Sequence, residues 1–126
     1  EGKPFEIVRM PTAEPIEVVI APGDEDYELY KGFIDEMGGK FMDGTPWPEG
    51  PVHFYAAASY CNFLICNGVV LGQRYYHEVV KEKDEQAKAV LESCFPDRKV
   101  IMIDSLALNL SGGGVHCWTK DVAASC

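Results

Sequence analysis

Residues Asn62 to Gln73 read Asn-Phe-Leu-Ile-Cys-Asn-Gly-Val-Val-Leu-Gly-Gln. Two short apolar runs, 62–66 and 69–73, flank the dipeptide Asn67-Gly68. Asn-Gly is the dipeptide that most readily adopts both φ > 0 positions of a two-residue turn. The segment therefore predicts a β-hairpin, from which the rest of the chain can be interpreted in both directions.

A helix and further strands are predicted on the C-terminal side of the hairpin. Asp84 is a suitable N-cap for a helix through residue 93, whose apolar side chains fall on one stripe. Residues 100–103 predict a short buried strand, and residues 106–110 fit either a helical turn or a strand. Residues 115–119 predict a last strand. The order from the hairpin onward is thus β-β-α-β, a turn, and β.

The N-terminal half predicts a strand, a second strand and a helix. Residues 5–10 alternate apolar and charged side chains before a proline, and residues 16–21 form a β-branched run. Residues 27–37 carry apolar side chains at helical spacing, and the proline-rich stretch 42–51 predicts a loop. A mixed sheet with helices on one side, an α+β fold, is the packing that such elements favour.

Charge and hydropathy limit the classes of partner. The net charge is −9, with 20 acidic against 11 basic residues, and the basic residues are scattered. Scattered basic residues disfavour a nucleic-acid partner. The longest apolar runs are far shorter than a membrane span requires, so we expect no membrane partner either.

Five cysteines are present, and no two of them form a Cys-x-x-Cys pair. An odd number disfavours a disulfide framework, and the spacing of Cys61 and Cys66 has no matching second pair for zinc. We therefore expect no metal and no cofactor. Buried, unpaired thiols in a reducing compartment fit better, which predicts a cytoplasmic protein. The cysteines expected to lie in the core are Cys61, Cys66 and Cys94.

A glycine-rich segment near the C-terminus carries the main functional candidate. Residues Gly112 to Thr119 read Gly-Gly-Gly-Val-His-Cys-Trp-Thr, with Cys117 near the centre. Glycines permit φ > 0 and close backbone approach, and a thiol beside such a loop needs only a lowered pKa to act as a nucleophile. Taken alone, however, the pattern fits a small buried hydrophobic residue at position 117 better.

The chain also resembles a known family through an ordered set of motifs. The five motifs are Ala-Ser-Tyr-Cys-Asn-Phe at 58–63, Asn-Gly-Val-Val at 67–70, Phe-Pro-Asp-Arg at 95–98, Ile-Asp at 103–104, and Gly-Gly-Gly-Val-His-Cys at 112–117. The last of these is the most specific. The order and spacing of the set resemble the C-terminal portion of the agmatine deiminase and bacterial-type peptidylarginine deiminase family. The similarity is clear over residues 58–119 and looser over residues 1–57.

This resemblance implies a pentein fold, an α/β-propeller of five ββαβ modules around an axial pocket. It implies hydrolysis of a guanidinium to a ureido group with release of ammonia, by a cysteine that forms a covalent thiouronium intermediate. Cys117 would be that catalytic nucleophile. Asn62 and Gly114 would bind the substrate, which is a small guanidino molecule or an arginyl peptide.

Departures from the family lead to further expectations. The Gly-His-x-Asp segment that holds the family's general acid and base is not in this sequence, nor are its N-terminal carboxylate motifs. We expect a C-terminal portion of about two modules, 1–57 and 58–126, which alone lacks the full catalytic set. Its partner would be the missing upstream segment or a second copy. The alternative is a non-catalytic pentein-like binding or structural module.

The histidines within the chain are weak candidates for the missing acid and base. On a strand His116 and Cys117 would point to opposite faces, which predicts a structural role for His116. His77 and His53 lie in segments from which they would have to fold back towards Cys117. Asp104 is more simply a turn carboxylate than a substrate ligand. Trp118 would point away from the nucleophile and contribute packing.

Overall fold

The computed structural model describes residues 2–122, so the cysteine at position 126 lies outside the described residues. The chain divides into two compact units. Residues 17–55 form one unit, and the described residues on either side of this segment form the other. Compactness does not establish a pentein module, so the predicted modules 1–57 and 58–126 stay a prediction.

The central segment contains a helix and most of two strands, whose end residues Ile16 and Ala56 belong to the other unit. Strand β1 (Ile16–Ile20) and strand β2 (Val52–Ala56) are neighbours in a two-stranded sheet, and helix α1 (Glu25–Glu36) lies between them in sequence. The Tyr27 hydroxyl donates a hydrogen bond of 2.8 Å to the carbonyl of Pro48, so the buried side of α1 holds the loop that precedes β2. The predicted strand at 16–21, helix at 27–37 and loop at 42–51 are confirmed, whereas β2 was not predicted.

The other unit is built on a three-stranded sheet that contains the predicted hairpin. Strands β3 (Leu64–Cys66), β4 (Val69–Arg74) and β5 (Lys99–Asp104) lie in the order β3-β4-β5. The β3–β4 pair is antiparallel and the β4–β5 pair is parallel. The turn at 67–68 is confirmed, but only Gly68 adopts a positive φ there, at 75°.

Helix α2 (Lys81–Cys94) follows a 3₁₀ turn (Glu78–Val80) and connects the parallel strands β4 and β5. A Cβ on Gly72 of β4 would lie 2.7 Å from a methyl group of Leu91, so the bare glycine backbone lets α2 approach the sheet. The predicted β-β-α-β order is therefore confirmed. Asp84 lies inside the first turn of α2 rather than at its N-cap, because its buried carboxylate binds backbone N–H groups beyond the end of β4.

The core of this unit lies between the sheet, α2 and the segments that flank them. Six buried side chains form one hydrophobic cluster: Ile16, Ala56, Tyr60, Tyr75, Val80 and Ala87. Leu106 and Leu110 pack against this cluster from α3 (Leu106–Leu110). The segment that fitted either a helix or a strand is thus a short helix, which turns the chain back towards the core.

Two predicted strands are wrong. Residues 5–10 form no strand, and most of their apolar side chains are exposed, because alternation predicts a strand only where a neighbouring strand pairs with it. Residues 115–118 form a turn, in which the N–H of Trp118 donates to the carbonyl of Gly114. In the second case a preceding triple glycine and a local hydrogen bond outweigh the β-propensity of the side chains.

The four described cysteines are free thiols. Cys66 is half-buried, but Cys61 and Cys94 are exposed, so their predicted core positions are wrong. Cys94 is the last residue of α2, beyond the part of the helix that packs on the sheet, and Cys61 lies in a turn. Within residues 2–122, no helix has the length and apolar character needed to cross a membrane.

Candidate active site

The fold brings Asn62 and Cys117 together although they are 55 positions apart in sequence. The side-chain amide of Asn62 donates a hydrogen bond of 2.9 Å to Sγ of Cys117. Its carbonyl oxygen accepts the backbone N–H groups of His116 and Cys117, at 2.8 and 3.2 Å. A single amide therefore holds both the thiol and the turn that presents it.

These contacts favour the charged form of the thiol. The hydrogen bond from Asn62 lowers the pKa of Cys117 below its ordinary value, and a backbone hydrogen bond from Gly114 acts in the same direction. The thiolate rather than the thiol is the nucleophile, so a lowered pKa raises the reactive fraction at neutral pH. Cys117 is also exposed, which contradicts a buried hydrophobic role and leaves the sulfur accessible.

The glycines before the cysteine serve two different purposes. Gly112 has a φ of 90°, a conformation that other residues rarely adopt. Gly114 is buried, and a Cβ there would lie 2.7 Å from Cγ of Asn62 and even closer to Oε1 of Gln73. Gly114 thus lets two protein side chains pack against the backbone, and its predicted contact with substrate stays a prediction.

A surface pocket of about 370 Å³ lies beside Asn62, the residue that donates to Sγ of Cys117. It is lined by Ser59, Cys61, Asn62, Phe63 and His116. Residues 115–118 form a turn, so His116 and Cys117 do not lie on the two faces of a strand as predicted. His116 instead lines the pocket beside Asn62.

The remaining sequence candidates have local roles. His77 accepts the N–H of Val79 and so caps the 3₁₀ turn, and Nδ1 of His53 lies 2.7 Å from the carboxylate of Glu17 in the other unit. Asp104 accepts the N–H of Leu106 at the start of α3, as expected for a turn carboxylate. Trp118 is 61% exposed, and its indole ring lies against Gly113, so the packing predicted for it is limited to the glycine-rich turn.

Gln73 is the residue that the sequence analysis missed. It is 0% exposed, and its Oε1 accepts hydrogen bonds of 3.1 Å from both Asn109 and the backbone N–H of Val115. Its amide nitrogen donates to the carbonyl of Ser59 and to the hydroxyl of Tyr75. A glutamine inside an otherwise apolar strand was the available signal, because a buried amide needs partners.

The buried carboxylate of Asp84 binds residues near the start of the Asn62 segment and the end of β4. Asp84 accepts the hydroxyl of Tyr60 at 2.9 Å and the N–H groups of Tyr75 and Tyr76 at 3.2–3.3 Å. Burial, and then the hydrogen bond to Asp84, raises the pKa of Tyr60. Burial likewise raises the pKa of Tyr75 to about 12, although its hydrogen bond with Ser59 opposes the shift. Both tyrosines therefore stay protonated and keep donating.

An exposed, hydrogen-bonded thiol of lowered pKa is an arrangement in which a cysteine can act as a nucleophile. The family model of the Porphyromonas-type peptidyl-arginine deiminases matches residues 1–122. The chain belongs to this family, and the resemblance drawn from its motifs is confirmed.

Two curated relatives agree with this assignment, and a solved structure is also similar in part. The chain is 40% identical over 124 residues to the agmatine deiminase of Pseudomonas fluorescens Pf-5, covering 98% of this chain and 28% of the relative. It is 32% identical over 124 residues to the agmatine deiminase of Pseudomonas fluorescens SBW25, with the same two coverages. A solved agmatine deiminase of Enterococcus faecalis matches 61% of this chain and 20% of its own, with 32% identity and a TM-score of 0.45. The chain thus spans under a third of the length of these relatives.

Proposed function

We propose that this chain is the nucleophile-bearing C-terminal portion of a guanidino-group hydrolase, and that Cys117 is its nucleophile. One observation carries the proposal: Asn62 and Gly114 donate to an exposed thiol and lower its pKa. The agmatine deiminases among its relatives support a small guanidino compound as the substrate. An arginyl peptide is the alternative substrate, and a cytoplasmic location stays a prediction.

The chemistry would proceed in two halves. The Cys117 thiolate adds to the guanidinium carbon, one carbon–nitrogen bond breaks, and the nitrogen leaves as ammonia after it takes a proton from a general acid. Water then adds to the thiouronium carbon and gives up a proton to the base. The carbon–sulfur bond then breaks and the new hydroxyl group releases its proton to solvent, which returns the thiolate and leaves a neutral ureido product.

A delocalised cation is a poor electrophile, so the thiolate and a proton donor must act together. The Gly-His-x-Asp segment that supplies the donor in the family does not occur in residues 1–126. We propose that a segment outside this sequence, or a second copy of the chain, supplies the histidine and carboxylates. The chain alone would then bind or react at Cys117 without turning over.

The same proposal covers the architecture. The ββαβ order of β3, β4, α2 and β5 is the order of one pentein module, which supports a place for this unit in a propeller. The segment before it would belong to a neighbouring module.

The test compares two alkylating agents that differ in charge. Chloroacetamidine mimics a guanidinium, and chloroacetamide is its neutral counterpart. We expect chloroacetamidine to label Cys117 faster than Cys94, which is the exposed reference thiol. The ratio of the two labelling rates should be smaller with chloroacetamide. Peptide mass spectrometry assigns the labelled residue, and Cys117→Ser is the control. If the ratio of the chloroacetamidine rate to the chloroacetamide rate is the same at Cys117 and Cys94, the proposal is contradicted.

A second experiment tests the missing partner. Co-expression with an upstream segment that carries the Gly-His-x-Asp motif should yield ammonia release from agmatine, which Cys117→Ser abolishes. The alternative is a non-catalytic binding module, against which the intact Gly-Gly-Gly-Val-His-Cys motif argues. A folded complex that binds agmatine without ammonia release would support that alternative.

A further inference from the structure

We propose that Gln73 is a positioning residue for Cys117, acting through the backbone of the turn and through the segment that carries Asn62. The inference deepens the proposed function, because it concerns the same thiol. It stands on contacts that do not depend on the reaction. Gln73 touches neither the sulfur nor the pocket, so any effect it has must be transmitted.

The buried amide of Gln73 connects the two segments that meet at the thiol. Its Oε1 accepts the N–H of Val115, two residues before Cys117. Its amide nitrogen donates to the carbonyl of Ser59, three residues before Asn62. Loss of this amide would release the glycine-rich turn and the Asn62 segment at the same time.

The side chain of Gln73 uses its full hydrogen-bonding capacity. A glutamine amide has two acceptor and two donor sites, and the two further partners are Asn109, at 3.1 Å, and the hydroxyl of Tyr75, at 3.4 Å. A buried polar side chain with every site satisfied specifies one arrangement of its neighbours. Gln73 therefore fixes the geometry of the segments and does not merely fill space.

Gly114 makes this geometry sensitive to small displacements. Its backbone packs so tightly between Gln73 and Asn62 that a single added carbon would not fit. A shift of Gln73 would thus be passed through Gly114 to the amide that donates to Sγ. The thiol would lose its hydrogen bonds before the sheet itself was disturbed.

The test measures the pH dependence of Cys117 alkylation by chloroacetamide in the 126-residue chain. We expect Gln73→Met, which keeps the length but loses all four hydrogen bonds, to raise the pH midpoint by about half a unit or more. The alkylation rate at neutral pH would then fall about threefold, since the thiolate fraction follows the pKa. Cys94 is the internal reference, and its rate should not change.

Val70→Ala is the matched control, because Val70 is a buried residue of the same strand whose side chain alternates to the other face. It should destabilise the fold and leave the Cys117 midpoint unchanged. If Val70→Ala shifts the midpoint as much as Gln73→Met does, the effect is one of stability and the proposal fails. An unchanged midpoint in folded Gln73→Met also overturns it.

Two further measurements cover the case in which Gln73→Met does not fold. Asn109→Leu removes the donor that orients Oε1 of Gln73, and we expect a smaller rise of the midpoint. In the unmodified chain the Val115 amide should exchange with solvent far more slowly than that of Lys120. Fast exchange at Val115, or an unchanged midpoint in Asn109→Leu, would overturn the proposal. The charge preference for chloroacetamidine tests the proposed function separately, so the two can fail independently.

Discussion

Replacement of Gly114 by alanine tests the packing beneath the thiol most directly. The added Cβ would lie 2.7 and 2.8 Å from two carbons of Asn62, and closer still to Oε1 of Gln73. Carbon atoms in contact need about 3.5–4.0 Å, so the neighbours would have to move by roughly 1 Å. Both neighbours accept hydrogen bonds from the backbone of the turn that follows Gly114, so neither can move without weakening them.

Two contributions, overpacking and the loss of a hydrogen bond, give the expected loss of stability. Overpacking of a buried site costs about 1–3 kcal/mol. Loss of one hydrogen bond of Asn62 or Gln73 adds about 1 kcal/mol. We therefore expect Gly114→Ala to lower the free energy of unfolding by about 2–4 kcal/mol, measured by urea denaturation. The pH midpoint of Cys117 alkylation should rise in the same protein.

Gly112→Ala is the matched control, two residues away in the same loop. The φ of Gly112 is 90°, and nothing lies within 4 Å of an added Cβ. The alanine variant therefore introduces backbone strain but no steric clash. Such strain costs about 1–2 kcal/mol. The reasoning is refuted if Gly114→Ala is no more destabilising than Gly112→Ala, or if it leaves the reactivity of Cys117 unchanged.

Three further predictions concern single sites. Because the folded state lowers the pKa of Cys117, stability should rise as pH rises through the folded pKa and level off above the unfolded value; Cys117→Ser should abolish this rise in denaturation measured across pH. Asp84→Asn should lower the free energy of unfolding by about 3 kcal/mol, because an amide cannot accept all the donors that surround that buried carboxylate; a loss below about 1 kcal/mol would contradict this. Gly32→Ala, in α1 with open space around the new Cβ, should stabilise the chain by about 0.5–1 kcal/mol, seen as a higher urea midpoint.

Local patterns predicted the elements that depend on neighbouring residues in the chain. The hairpin around Asn67-Gly68 and the helix that begins near Asp84 follow from turn chemistry and helical spacing, and both are present. Strand β2 was missed because its residues follow directly on a proline-rich loop, although their burial alternates along the strand. The segment 5–10 was predicted wrongly because its alternation has no neighbouring strand to pair with.

Motifs likewise pointed to Cys117 and Asn62, but not to the reason that they act together. The turn at 115–118 was predicted as a strand because side-chain propensity favoured one, whereas a local hydrogen bond to Gly114 and hydrogen bonds to the distant Asn62 hold the turn. Gln73 left only a faint signal, a lone amide in an apolar strand. Its partners lie up to 42 positions away, beyond the reach of any local pattern.

The amino-acid order by itself determined the family and the β-β-α-β succession and pointed to Cys117 as the candidate thiol, because each depends on residues close together or on motifs that can be compared directly. Only the tertiary structure decided that this thiol is exposed, that an asparagine 55 positions away donates to it, and that a buried glutamine lies beneath both segments. The physical reason is that hydrogen-bond geometry and burial arise from contacts between segments. Such contacts exist only once the chain has folded.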